Sequence, residues 1–314
     1  MSATAIQRAS QIVSEPGFDL PLPGKGDTRE RFRLLAGFAR DDIATGRMVE
    51  AHCDAVAILH ELGAPGVGPG ELWGVWAAEP PAPVVTAVLE SQTWTLRGTK
   101  VWCSGAEGCT HALVTARADG YRRLFAVDLR SDGVHPVASD WHNPGMAETV
   151  TASVEFDSVP ARPVGDPGDY LDRAGFWHGG VGVAACWFGG AMKVAQPLYE
   201  KARSAGDDIT LMHLGAVDAL LATGCAQLRQ AAAEIDDHPD DLAGARRRAF
   251  GVRWSIEQIA TGVLDRVARA LGPGPLVADA DHAQAVADLS VYIRQSHADR
   301  DLVELGKLAA GSSS

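Results

Sequence analysis

The stretch that decides the fold is LRGTKVWCSG, residues 96–105. It ends a run of β-forming residues, and in it Trp102 precedes Ser104 by two positions. Side chains two residues apart on a strand point to the same face, so the indole and the hydroxyl are predicted to lie side by side. The indole could stack on the ring of a bound molecule while the hydroxyl forms a hydrogen bond to that molecule. The alternative is a half-buried sheet aromatic beside a solvated hydroxyl at the end of a strand.

Similar short β-rich runs occur on both sides of this stretch, between about Trp73 and Val164. They read VVTAVLES, HALVTARA, YRRLFAVDL and TVTASVEF, and residues typical of turns separate them. Several short strands at this spacing predict an antiparallel sandwich or barrel. No helix of useful length fits between them, which disfavours a parallel sheet with crossover helices.

Helical spacing of apolar residues flanks the β-rich region. It is present over about 29–62, and again near 174–203, 208–236, 241–271 and 280–308. The fold class is therefore predicted as α+β and multidomain. The predicted parts are a shortened N-terminal helical domain (1–70), a central antiparallel β domain (71–166), a C-terminal helical bundle (167–308) and a tail (309–314).

Composition excludes several classes of function. The chain has 314 residues, 46% of them hydrophobic, and a formal net charge of −12, which disfavours binding to nucleic acid. Its five cysteines form no CxxC pair and its histidines show no ligand spacing, so neither a disulfide framework nor a metal site is predicted. No uninterrupted apolar run reaches the length of a membrane span or a signal sequence, so we expect a cytoplasmic protein that does not enter the membrane.

Four motifs in order resemble those of the acyl-CoA dehydrogenases. They are LWG…AEP (72–80), LRGTKVWCSG (96–105), GMAET…FDSVP (145–160) and VGDPG (164–168). The resemblance covers roughly residues 40–306 and implies the fold of that family. It also implies an FAD-dependent flavoprotein oxidoreductase that removes hydrogens from the α and β carbons of an acyl thioester. A small-molecule substrate such as acyl-CoA and a homo-oligomer that packs through its C-terminal bundles are further implications.

The resemblance implies four cofactor-binding residues. Ala78 stands where the family has the threonine of Thr-Glu-Pro, whose backbone and hydroxyl face the flavin. Trp102 and Ser104 stand where an aromatic and a hydroxyl residue bracket the isoalloxazine. Arg203 stands where an arginine holds the FAD pyrophosphate of a neighbouring subunit.

Two departures bear on the cofactor. Ala78 has no hydroxyl, and PPAP (80–83) replaces the Gly-Ser-Asp that usually follows. After Arg203 the family has Phe-Gly, whereas this chain continues to Asp207 and Asp208. These carboxylates either repel a pyrophosphate or cap the next helix. FMN, or no flavin at all, is therefore an alternative to FAD.

A third departure concerns the catalytic base, which the sequence leaves unidentified. Ser296 stands where the family has its glutamate, and serine cannot abstract a proton without a partner. Asp172 and His297 are the other candidates, but a paired surface aspartate and a solvated histidine are the plainer interpretations. The missing glutamate leaves two alternatives to a dehydrogenase, namely a flavin monooxygenase on the same fold and a non-catalytic scaffold or oligomerisation protein.

Overall fold

A computed structural model describes residues 4–138 and 140–311. Helices lie at both ends of the described chain and strands between them, so the predicted α+β class is confirmed. The helices are α1 (Ala5–Val13), α2 (Thr28–Asp41), α3 (Ile43–Glu61), α4 (Ala174–Ala205), α5 (Asp208–Asp237), α6 (Leu242–Leu271), α7 (Gly274–Ala278), α8 (Ala280–Tyr292) and α9 (Asp299–Ala309). The strands are β1 (Trp73–Trp76), β2 (Val85–Glu90), β3 (Thr93–Cys103), β4 (His111–Ala118), β5 (Tyr121–Asp128), β6 (Val134–Pro136) and β7 (Ala152–Val164). Residues 312–314 of the predicted tail lie outside the described residues, and the predicted domain limits stay predictions.

The described residues form two compact units, each assembled from separate stretches. The barrel unit consists of residues up to Leu20, Arg47–His142 and Ala147–Phe176. The helical unit consists of Pro21–Gly46, Asn143–Met146 and the residues from Trp177 onward.

The strands of the barrel unit close into a ring. They pair in the order β4–β2–β3–β7–β5, and β5 pairs in turn with β4; β1 adds to β4 and β6 to β7. The pairings β1–β4 and β2–β4 are parallel and the others antiparallel. The central domain is thus a small, mainly antiparallel barrel.

Alternating side chains of the strands fill two cores. One face of every strand in the ring contributes to the first core, where Leu96, Val114 and Phe125 are fully buried. On the opposite face of β4, Leu113 joins Ile58 of α3 in the second core. Burial on both faces explains why β4 reads as a nearly continuous apolar run.

Helices of the helical unit approach each other closely at glycines. A Cβ at Gly189 of α4 would overlap the carbonyl oxygen of Ala36 in α2. Two residues earlier, the fully buried Trp187 meets Tyr292 of α8 edge-on, with 6.2 Å between ring centroids. The glycine-rich part of α4 therefore serves helix packing.

The helix predicted over 280–308 is interrupted. α8 ends at Tyr292, a 3-10 turn follows, and α9 begins at Asp299. Between them Ser296 Oγ accepts from the Ala298 amide at 3.2 Å, and the Asp301 carboxylate accepts from the His297 amide. These local side-chain bonds compete with the helical ones and break the helix.

α5 exposes much of its apolar surface. Ile209, Leu211 and Met212 are all exposed. Within the part of the chain that the structure describes, α5 is the one helix long and apolar enough to cross a membrane, and 22% of its most apolar window is buried. Length and composition do not distinguish a membrane-spanning helix from a core helix of a soluble protein.

Candidate functional site

Trp102 lies at an irregularity near the end of β3. The pairing of β3 with β7 shifts between Lys100 and Cys103, and Trp102 has a φ of +60°. The shift ends the regular alternation of side chains, so the prediction that Trp102 and Ser104 share a strand face by alternation is wrong. Lys100 remains buried while Trp102 is 63% exposed. The indole is therefore available to a ligand.

Ser104 is held just beyond the strand. Its carbonyl accepts from the buried indole of Trp76, with Nε1 and O 3.0 Å apart. Its Oγ lies 3.0 Å from Oγ1 of Thr151, which lies 2.8 Å from Oγ1 of Thr149. Because hydroxyls both donate and accept, this hydroxyl row (Ser104, Thr151 and Thr149) allows Ser104 either role toward a bound group.

The backbone around the hydroxyl row is strained. Val150 has a φ of +45°, which is rare for a β-branched residue, and Trp102 on the neighbouring segment is also left-handed. The amide of Gly105 donates to the Thr149 carbonyl at 2.7 Å and joins the two segments. Strain of this kind accumulates where a binding geometry requires it, so this part of the barrel is the candidate site.

A second indole extends the aromatic surface. Trp141 meets Trp102 edge-on, with ring centroids 6.2 Å apart and planes at 83°. An aromatic wall next to a few polar groups is the usual composition of a site for a planar cofactor.

Ala78 lies in the loop after β1 and is exposed. It lines a crevice of about 10 Å³ together with Lys100 and Val101, so the structure brings Ala78 close to the residue before Trp102. A crevice of this size holds about one water, which excludes a ring system from it.

Two charged side chains, those of Lys100 and Glu79, hold the walls of that crevice in place through hydrogen bonds. The ammonium of Lys100 donates to the carbonyl and to Oγ1 of Thr115, at 2.8 and 2.7 Å. Burial lowers the pKa of Lys100 to about 8, and the nearby Glu79 opposes that change. Glu79 accepts from Arg122 Nε at 2.7 Å, which ties the Ala78 loop to β5.

Arg203 belongs to the helical unit, whereas Ala78, Trp102 and Ser104 belong to the barrel unit. It is exposed in the last turn of α4, and its Nε donates to the Tyr199 carbonyl at 3.1 Å. Asp207 accepts from the Thr210 amide at 2.7 Å as the N-cap of α5, so the capping interpretation of Asp207 is confirmed.

In the described part of the chain, neither Ser296 nor His297 has the surroundings of a catalytic base. Ser296 accepts a backbone hydrogen bond, and the His297 side chain is 77% exposed beside Asp301. The solvated interpretation of His297 is therefore confirmed. Arg173, the residue after Asp172, pairs with Glu61, and the pairing of Asp172 stays a prediction.

Sequence reasoning missed the residues that support the site. Trp76, Thr149 and Thr151 position Ser104. The alternation in the run that contains both threonines predicts only a strand. The sequence contains no clear signal for Lys100, because most residues of β3 are exposed or half-buried. Among the described residues, no group of three or more His, Cys, Asp or Glu side chains is placed to hold a metal ion.

Residues 55–159 match the family model of the acyl-CoA dehydrogenase middle domain. This match covers the end of α3 and most of the barrel, including Trp102, Ser104 and the hydroxyl row. No curated protein sequence matches the chain.

Solved structures with the same fold include TdsC, KijD3 and a nitrososynthase. TdsC from Paenibacillus sp. A11-2, in complex with FMN and indole, is 18% identical with a TM-score of 0.80, over 91% of this chain and 84% of that one. KijD3, in complex with FMN and a dTDP-linked amino-keto sugar, is 17% identical with a TM-score of 0.79, over 91% and 80%. A nitrososynthase from Micromonospora carbonacea var. africana is 18% identical with a TM-score of 0.74, over 90% and 82%. The acyl-CoA dehydrogenase-like fold of this chain is thereby established.

Proposed function

Because this chain has the acyl-CoA dehydrogenase-like fold and its residues 55–159 match the middle domain of that family, we propose that it is a flavin-dependent oxidoreductase acting on a small organic molecule. The observation that carries the proposal is the exposed indole of Trp102, held in a left-handed conformation two residues before Ser104 of the hydroxyl row. That arrangement lies within the matched middle domain.

The residues of this site fit a flavin. The Trp102 ring offers a face for stacking, and Ser104 offers a hydroxyl that either donates to or accepts from the polar edge of the ring. A bound flavin supplies the redox chemistry, so the protein has to position it and surround it with suitable groups.

The surroundings of Arg203 in the helical unit favour FMN over FAD as the cofactor. FAD adds a pyrophosphate, which needs cationic groups and repels carboxylates. The Nε of Arg203 donates within its own helix, to the Tyr199 carbonyl, and the Phe-Gly of the family does not follow it. The structures of KijD3 and TdsC contain FMN. FAD remains the alternative.

Oxygen-dependent oxidation fits the chain better than dehydrogenation of an acyl thioester. Removing an α-proton requires a base, and Ser296 with its backbone hydrogen bond supplies none. Similar structures include one described as dibenzothiophene monooxygenase and one as nitrososynthase. Dehydrogenation of an acyl-CoA is the second candidate, carried by the middle-domain match.

The first experiment measures flavin binding to the purified protein by quenching of flavin fluorescence. We expect FMN to bind more tightly than FAD. Loss of a stacking partner in Trp102→Ala should weaken FMN binding by roughly threefold to tenfold. The matched control is Tyr121→Ala, which removes another exposed aromatic of the barrel unit. Failure to take up either flavin would exclude both enzymatic candidates.

The second experiment separates the two reactions. Chemically reduced FMN, oxygen and a small aromatic or amine substrate should yield an oxygenated product. Anaerobic bleaching of the flavin by an acyl-CoA, without such a product, would instead establish the dehydrogenase.

A further inference from the structure

The helical unit contains an open cavity of about 520 Å³ between α2, α4 and α5. Its wall is mainly apolar: Phe32, Phe188 and Leu228 are buried, and Met192 is partly buried. The volume lies within the roughly 300–1,000 Å³ typical of small-molecule sites. The cavity can therefore enclose the apolar body of a small ligand.

The rim of this cavity is charged. Arg33 forms two hydrogen bonds to Glu30, at 2.6 and 2.7 Å, and the two charges offset each other. Arg29 and Arg229 are exposed at the rim and form no hydrogen bond or ion pair with any residue that the structure describes. The charge of Arg29 acts on Glu30 only at a distance, and two guanidinium groups without a hydrogen-bonded carboxylate are notable in a chain with a net charge of −12.

We propose that this cavity binds a small organic carboxylate with an aliphatic or aromatic body. The body lies against the apolar wall, and the carboxylate accepts hydrogen bonds from Arg29 and Arg229. Asp27 is also at the rim, and its side chain forms no capping bond. Its charge offsets one of the two guanidinium charges, which favours a monoanion over a phosphate dianion.

Cys225 provides a direct reporter of occupancy. It lines the cavity and is the one cysteine among the described residues that is not buried. The experiment measures the rate at which N-ethylmaleimide, an uncharged reagent, alkylates the native protein. Decanoate should slow the alkylation in a saturable manner, whereas decanol and inorganic phosphate at the same concentration should not. Decanol lacks the charge and phosphate lacks the body.

Substitutions at the rim test the role of the arginines. The double variant Arg29→Gln/Arg229→Gln should weaken protection by decanoate about tenfold. Both residues are exposed, so the fold should be retained, and Arg247→Gln is the control because Arg247 is an exposed arginine of α6 outside this cavity. Met192→Glu, which places a carboxylate in the wall, should also weaken protection. The proposal is overturned if decanoate gives no protection, if decanol protects equally, or if the double variant is protected like the wild type.

Discussion

Trp102 adopts a backbone conformation that residues with a side chain avoid. The left-handed region costs an L-residue about 1–2 kcal/mol relative to glycine. A glycine at this position would relieve the strain, so the indole is present at a cost in stability. The sequence predicted that Trp102 and Ser104 act together. It did not show the irregularity at Trp102, because register depends on the partner strand β7.

The strain at Trp102 leads to a stability prediction. Trp102→Gly should be more stable than Trp102→Ala by about 1 kcal/mol, because both lose the indole but only glycine relieves the strain. Urea unfolding measures the difference. At Tyr121, where the backbone is not left-handed, the order should be reversed because glycine weakens a strand. Equal stabilities of the two Trp102 variants would contradict the prediction.

His52 makes folding sensitive to acid. It is buried in α3, and its Nδ1 accepts from the Trp73 amide at 3.3 Å. Burial lowers the pKa of His52 to about 4, against the opposing attraction of Glu71. The unfolded chain therefore takes up a proton near pH 6.5, whereas the folded chain does so only near pH 4. Stability is lost as the pH falls through this interval, by up to about 3 kcal/mol.

Replacing His52 tests that contribution. Between pH 7 and pH 4.5 the wild type should lose more free energy of unfolding than His52→Gln does. Urea unfolding at the two pH values provides the comparison. His60→Gln, an exposed change on the same helix, should behave like the wild type. A His52→Gln variant with unchanged pH dependence would show that other groups control acid unfolding.

Among the elements, the longest helices were the easiest to predict. α4, α5 and α6 each repeat their apolar period many times, and their predicted limits differ from those observed by two residues or fewer. α1 has nine residues and α7 has five, too few to establish a period, and neither was predicted. The parallel pairing of β1 with β4 could not be read from the sequence, because strand neighbours are set by contacts between distant residues.

The crossing of α2 and α4 depends on a glycine. Gly189→Ala should destabilise the protein by about 1–3 kcal/mol, because the added methyl overlaps the Ala36 carbonyl. Gly251→Ala in α6 is the control: its Cβ would have no neighbour within 4 Å, and alanine favours a helix. In thermal unfolding, Gly189→Ala should therefore have a lower Tm than the wild type, and Gly251→Ala a higher one. A Gly189→Ala variant as stable as the wild type would show that the two helices can separate slightly.

For the whole molecule, the exposed apolar surface of α5 supports the proposal of a homo-oligomer. Contiguous exposed apolar residues mark association surfaces. We expect sedimentation analysis to give a mass that is a multiple of 33.1 kDa at micromolar concentration. Leu211→Glu/Met212→Glu should shift this toward the monomer, whereas Thr223→Glu, a polar exposed position of the same helix, should shift it less. A monomeric mass for the wild-type protein in sedimentation analysis would contradict the proposal of a homo-oligomer.

At this scale the sequence predicted the order of helical and β parts, because the change of period is visible along the chain. It did not show that the compact units draw on interleaved stretches. Pro21–Gly46 belongs with residues after Trp177, although the intervening chain mostly forms the barrel unit. Periodicity reports which face of an element is buried, but not which distant element covers it.

This interleaving has a consequence for biosynthesis. A ribosome releases every stretch of the barrel unit by Phe176, so that unit can complete itself while translation continues. α2 emerges much earlier, but α4 and α5, which cover its apolar face, are made only after the barrel unit. Phe32 and Leu35 are therefore exposed to solvent on the nascent chain until α4 and α5 have been synthesised. A chaperone that binds this segment should raise the yield of native protein.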